Sequence, residues 1–341
     1  YLNNKNKRKR GHYLATTSGD QTRLLEFIRV LRGHQIDVAQ LAEDTSVNGQ
    51  TFKAGQTIAI PADQTQATYL QAIWNTQLTF EENVFYDVST WTLPLAFNLN
   101  HTSEPMRGIT TAPLTTEFLT SSTQLPESGI GYLIDWRDSA TPALLYDLLE
   151  AGANVRVATR PLTAKIKGRA PMSFGYGTLF VAPELGEAIP PEALALLQSA
   201  AIRGLPVYAA ASSDTPVGID LGSRDFTVLA LPKVLIASGP NTSAYRVGEI
   251  WHMLDRRVKM PLTMIDQHRL ASLDLSGYTH LILTDALDDL RDSIVGKIET
   301  FVRNGGIVWA QGSTTLNWLN RQSLTDIIWT KTAAEETQVQ L

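Results

Sequence analysis

The feature that most constrains this chain is a pattern that occurs twice. "GHYLATTSGDQTRLLEFIRVLRGHQIDVAQL" (11–41), closing on "FKAGQTIAIPAD" (52–63), is matched by "GYLIDWRDSATPALLYDLLEAGANVRVATRPL" (131–162), closing on "FGYGTLFVAPEL" (174–185). Tyr13-Leu14 and Tyr132-Leu133 open short apolar strands. Leu25, Phe27, Val30 and Leu31, then Leu144, Leu145, Leu148 and Leu149, recur at helical spacing. Gly33 and Gly152 stand where those helices stop, as residues with positive φ do. Ile36 and Val38, and Val155 and Val157, alternate as a following strand would. Phe52, Gly55 and Pro61 match Phe174, Gly177 and Pro183 around a last apolar strand. Each copy reads β-α-β-(turn)-β-α, which predicts an α/β fold with parallel sheets and helices on their faces.

The rest of the chain follows from this frame. Residues 1–80 form a first α/β unit, and 81–128 a Ser/Thr/Pro-rich connection. Residues 129–230 form the second unit, an internal repeat of the first. From 231 to 341 strands and helices alternate anew. Apolar runs at 234–237 and 280–284, with "MPLTMID" and "IVWAQG", are strands, while "AYRVGEIWHMLDRR" and "DSIVGKIETFVRNGG" are amphipathic helices. That order predicts a doubly wound, flavodoxin-like sheet. The chain begins with Tyr rather than Met, which reads as a piece of a longer precursor.

Composition excludes several classes of function. The net charge is −5, against a general nucleic-acid binder, which needs a basic face. The basic run Lys5, Lys7, Arg8, Lys9, Arg10 reads as a solvated loop. With no cysteine there is no disulfide, thiolate metal site or cysteine nucleophile. No apolar run is long enough to span a bilayer.

Four stretches invite chemistry. In "AQGST" a strand turns sharply into a helix at Gly312-Ser313, where α/β enzymes often hold a nucleophile. Ser313 has no His-x-Glu after it and no Gly-x-Ser-x-Gly around it, so it reads as a helix cap. His101 and Glu104 have the His-x-x-Glu spacing of zinc carboxypeptidases, yet lie in the Ser/Thr/Pro-rich connection just before Pro105 and read as loop residues. "SGPNTSAYRVGE" (238–249) leads from strand to helix without a phosphate-binding fingerprint. Asp285, Asp288, Asp289 and Asp292 read as capping and solvated residues, without EF-hand spacing. A ligand pocket at the strand ends would draw on Ser238, Gly239, Glu249, Asp285, Gln311, Gly312 and Ser313.

Taken in order, "FKAGQTIAIPADQ" (52–64), "YDVSTWTLPL" (86–95), "VGEIWHMLD" (247–255), "SGYTHLILTDA" (276–286) and "FVRNGGIVWAQGSTTLNWL" (301–319) carry a family resemblance. Over about residues 11–320 the chain resembles the region downstream of the catalytic domain in large bacterial zinc carboxypeptidases of the carboxypeptidase A type. The resemblance implies accessory α/β units ending in a class I glutamine-amidotransferase-like domain without its nucleophile, open to truncation at its end. It implies no catalytic residue, metal ligand or cofactor in this chain, with zinc expected only in an upstream peptidase domain. The implied partners are that peptidase domain and candidate peptides, with oligomerisation left open. The implied location is secreted or periplasmic.

Overall fold

The computed structural model describes residues 9–76, 92–119, 124–184, 187–240, 242–284 and 292–327. The chain divides into two compact units, Tyr1–Leu229 and Ala230–Leu341.

The first unit is built twice over. In the first copy β1 (His12–Thr16) leads into α1 (Gln21–Gly33) and β2 (Ala39–Leu41). A hairpin of β3 (Thr45–Val47) and β4 (Gln50–Phe52) then returns the chain to β5 (Thr57–Pro61), followed by α2 (Ala67–Trp74). Beyond α3 (Leu93–Ala96) come β6 (Asn100–His101), β7 (Thr111–Pro113) and α4 (Thr116–Leu119). In the second copy β8 (Tyr132–Ile134), α5 (Thr141–Glu150) and β9 (Asn154–Ala158) are followed by β10 (Leu162–Ala164) and β11 (Met172–Phe174). Then come β12 (Leu179–Ala182), α6 (Pro191–Ile202), β13 (Val207–Ala209), β14 (Val217–Gly218) and β15 (Phe226–Val228).

The two five-stranded sheets have corresponding orders, β6-β1-β5-β2-β7 and β13-β8-β12-β9-β15. The pairings are antiparallel in both, which corrects the expectation of parallel sheets here. The reason is geometric. A β-α-β crossover leaves β1 and β2 running the same way. The hairpin after β2 reverses the chain, so β5 enters between them in the opposite sense, Ile58 facing Ala15 on one side and Gln40 on the other. β12 does the same between β8 and β9. The stretch read as a connection, open to short strands, supplies both edge strands of the first sheet, β6 and β7.

Each sheet buries one face under its helices. Tyr13, Ala15, Ile58 and Ile60 pack with Leu24, Phe27, Ile28 and Leu31 of α1 and with Leu70 and Trp74 of α2. Tyr132, Ile134, Leu179 and Val181 meet Leu144 and Leu148 of α5 and Ala193 and Leu197 of α6. The opposite face is closed by the small strands: Phe52 against Leu14, Leu41 and Ala59, and Leu162, Ala164 and Phe174 against Leu133 and Phe180. Gly152 ends α5 at φ 72, but Gly33 does not have a positive φ. The left-handed residue after α1 is Gln35, φ 57, and the Ile36 N–H reaches back to the Leu31 carbonyl as the Ala153 N–H does to that of Leu148.

The second unit contains the parallel sheet. β16 (Val234–Ser238), α7 (Ala244–Trp251) and β17 (Leu262–Asp266) precede β18 (His280–Thr284), α8 (Asp292–Arg303), β19 (Ile307–Gln311) and α9 (Ser313–Arg321). The order is β17-β16-β18-β19, all parallel. α7 covers one face, with Val247 and Ile250 on Val234, Ile236 and Ile282. α8 and α9 cover the other, with Ile294, Ile298, Trp318 and Leu319 on Leu235, Leu281 and Leu283. Past Trp251 the helix continues as a π-helix, His252–Arg257.

Candidate functional site

The parallel register fixes which residues share the carboxyl edge of the second unit's sheet. Ser238 pairs with Asp266, and Thr284 with Gln311, while Ala237 pairs with Leu283 one residue earlier. Asp266, Ser238, Thr284 and Gln311 therefore close the four strands on one level. Side chains alternate along a strand. Ile265, Ala237, Leu283 and Ala310 belong to the core under α8 and α9, so these four polar residues stand on the α7 side. Below them on that face the rows are Leu262, Val234, His280, Ile307 and then Met264, Ile236, Ile282, Trp309. The sheet changes from mainly apolar to wholly polar in its last row.

That row is incompletely satisfied. The Ser238 hydroxyl donates to the Ile265 carbonyl at 3.3 Å. Asp266 accepts the His268 N–H at 2.9 Å, capping the turn Gln267–Arg269. Thr284 is fully buried, and its Oγ1 has no hydrogen-bond partner among the described residues. Gln311 Oε1 and Gln267 Oε1 are buried and equally without partners. The other end of the Gln267 amide donates to the Pro240 carbonyl at 2.6 Å, holding the loop after β16 to the turn after β17. Thr315, facing inward in the first turn of α9, adds another buried, unpartnered hydroxyl. Buried polar atoms without partners are rare, because each forfeits its bonds to water.

The strand-to-helix corner is made by Gly312, at φ 90 and ψ 151. That combination is essentially restricted to glycine. Ser313 is the first residue of α9, not its cap; Gly312 is the cap residue, and no side chain closes this terminus. Ser313 is exposed and makes no side-chain hydrogen bond among the described residues. Gly239 turns the chain after β16 at φ 113, and a Cβ there would lie 3.1 Å from Asp266 Cγ. Ser243 caps α7 by accepting the Arg246 N–H.

The expected pocket residues are thus only partly together. Ser238, Gly239, Gln311, Gly312 and Ser313 lie at the carboxyl edge. Glu249 does not: it lies near the end of α7, exposed, more than a helical turn beyond the loop. Asp285, Asp288 and Asp289 lie outside the described residues. Asp266, Gln267 and Thr284 were not foreseen; counting strand register back from Ile282 and Ile236 would have found Thr284.

His101 and Glu104 have separate partners. The His101 ring contacts the Leu99 carbonyl through Nδ1 at 3.1 Å and lies edge-on to Trp74. Glu104 pairs with Lys9 at 2.6 Å. Among the described residues no three His, Cys, Asp or Glu side chains gather as metal ligands.

The first unit offers a cavity of about 210 Å³ where its two copies meet. Asp135 and Arg137 line it as an ion pair. Burial raises the Asp135 carboxyl, but the Arg137 hydrogen bonds outweigh it and hold the group below its ordinary range. This pair already satisfies its own charges. No helix among the described residues is long and apolar enough to cross a membrane.

Comparison of the chain with family models, with curated proteins and with solved structures finds no match.

Proposed function

We propose that this chain is a non-catalytic accessory region of a zinc-carboxypeptidase-like protein, serving an upstream peptidase domain by packing, peptide recognition or oligomerisation. The second unit is then a flavodoxin-like, glutamine-amidotransferase-like domain, and its parallel β17-β16-β18-β19 order supports that assignment. One observation carries the reading. The corner where such a domain would present its nucleophile is Gly312, which has no side chain and holds a backbone conformation that other residues avoid. Zinc and the reaction belong to the peptidase domain, and a secreted or periplasmic location goes with the same resemblance.

The test is elemental analysis of the dialysed 341-residue chain, followed by carboxypeptidase and esterase assays with and without added zinc. The expected result is no stoichiometric zinc and no turnover. About one zinc per chain, or turnover lost in His101→Ala or Ser313→Ala, overturns the reading.

A second reading has its own support. Unpartnered buried oxygens of Thr284 and Gln311 at the sheet's carboxyl edge favour a small-molecule binding module. In open parallel sheets, ligands sit outside the carboxyl ends where strand order reverses, here between β16 and β18.

A further inference from the structure

We propose that the row Asp266–Ser238–Thr284–Gln311 binds a small cationic amine that carries additional hydroxyl or amide donors. The proposal rests on the small-molecule reading above and adds the chemistry of the ligand.

The argument is one of donor and acceptor balance. Among the described residues, the buried side-chain atoms left without partners in and beside this row are all oxygens: Thr284 Oγ1, Gln311 Oε1 and Gln267 Oε1. Amide oxygens accept only, and hydroxyls accept as readily as they donate. The one formal charge in the row is the Asp266 carboxylate, and no Lys, Arg or His occupies a last register position. An anion would meet that carboxylate and a set of lone pairs. The α7 N-terminus has one of its free N–H groups, that of Arg246, taken up by the Ser243 hydroxyl. An ammonium group supplies three donors and the complementary charge, and hydroxyls on the same molecule can serve the remaining oxygens. Neighbouring strands are about 4.8 Å apart, so Ser238, Thr284 and Gln311 span roughly 10 Å, the length of a small molecule.

Glucosamine serves as the probe, with glucose and inorganic phosphate as neutral and anionic controls. Each is titrated into the full chain while backbone amide resonances are followed. The expected result is saturable shifts for Ser238, Gly239, Thr284, Gln311 and Gly312 with glucosamine, weaker ones with glucose, and none with phosphate. Asp266→Asn keeps an oxygen to cap His268 and should weaken glucosamine about tenfold or more, as loss of a charged hydrogen bond does. Thr284→Val should weaken it independently. Phosphate shifting these amides in preference to glucosamine overturns the ligand class and leaves the small-molecule reading standing. No shift with any probe overturns both, and glucosamine binding unchanged in Asp266→Asn overturns the proposal alone.

Discussion

The backbone N–H of Thr22 donates to the carboxylate of Asp138, 3.2 Å away and 116 residues along the chain. In return the Ser139 hydroxyl donates to Asp20 at 3.0 Å. Asp20 also caps α1 through the Arg23 N–H, and Asp138 takes the Ala140 N–H just ahead of α5. The helix starts of the two copies therefore satisfy one another. Asp138 is almost wholly buried, and burial raises its carboxyl above the usual range, with nearby Asp20 adding to the effect. Asp138→Ala strands two part-buried N–H donors, those of Thr22 and Ala140, and should lower stability by about 1–3 kcal/mol, read by urea unfolding of the full chain.

The same carboxyl has a signed pH dependence. Its native pKa is raised, so the folded chain binds its proton more tightly than the unfolded chain. Its contribution is most favourable below the unfolded carboxylate pKa of about 4 and is lost as pH rises through the raised native value. Asp138→Asn removes that slope. A wild-type minus variant stability difference that does not fall with pH across this window contradicts the assignment.

Gly312 should resist replacement. Gly312→Ala or Gly312→Ser puts a Cβ on a backbone at φ 90 and ψ 151, costing about 1–3 kcal/mol. Thermal unfolding reads it directly, and an unchanged transition would show that the corner relaxes freely.

Thr284 should behave in the opposite way. Its hydroxyl is buried and has no partner among the described residues, so Thr284→Val, close in shape, exchanges an unsatisfied group for an apolar one. The expected change lies between zero and about 2 kcal/mol of added stability. A clear loss would mean that the hydroxyl has a partner in solution.

Lys297 holds a loop by three carbonyls. Its ammonium donates to Leu270, Ala271 and Leu273 at 3.4, 2.7 and 2.5 Å. Lys297→Met keeps most of the stem and removes the donors, at about 1.5–3 kcal/mol. Hydrogen exchange should quicken around 270–273 before it does in β18.

Much of this architecture was legible in the chain because helices announce themselves by period. The apolar positions of α1, α5 and α8 recur at 3.6-residue spacing, and the two copies repeat them. Strand direction has no such signal: nothing local in "TIAIP" says that it runs against its neighbours. β6 is two residues long and β7 three, too short for alternation to register. Gln35 takes the left-handed turn expected of Gly33, because α1 extends through Gly33. At the candidate site, Ser238 and Gln311 stood out as polar residues after apolar runs. Thr284 was passed over for Asp285, one residue on, since only cross-strand register distinguishes them.

The change from α to π at His252–Arg257 bears on which length variants this chain can tolerate. A π turn bonds i to i+5 where an α turn bonds i to i+4, so this stretch holds slack that the preceding turns lack. Losing one residue between 252 and 257 could be absorbed by reverting to α geometry, leaving Val247 and Ile250 seated on β16. Losing one residue between Ser243 and Val247 would instead turn the helix by about 100° and carry that apolar face off the sheet. Natural variation in length should therefore gather on one side of Trp251 and avoid the other.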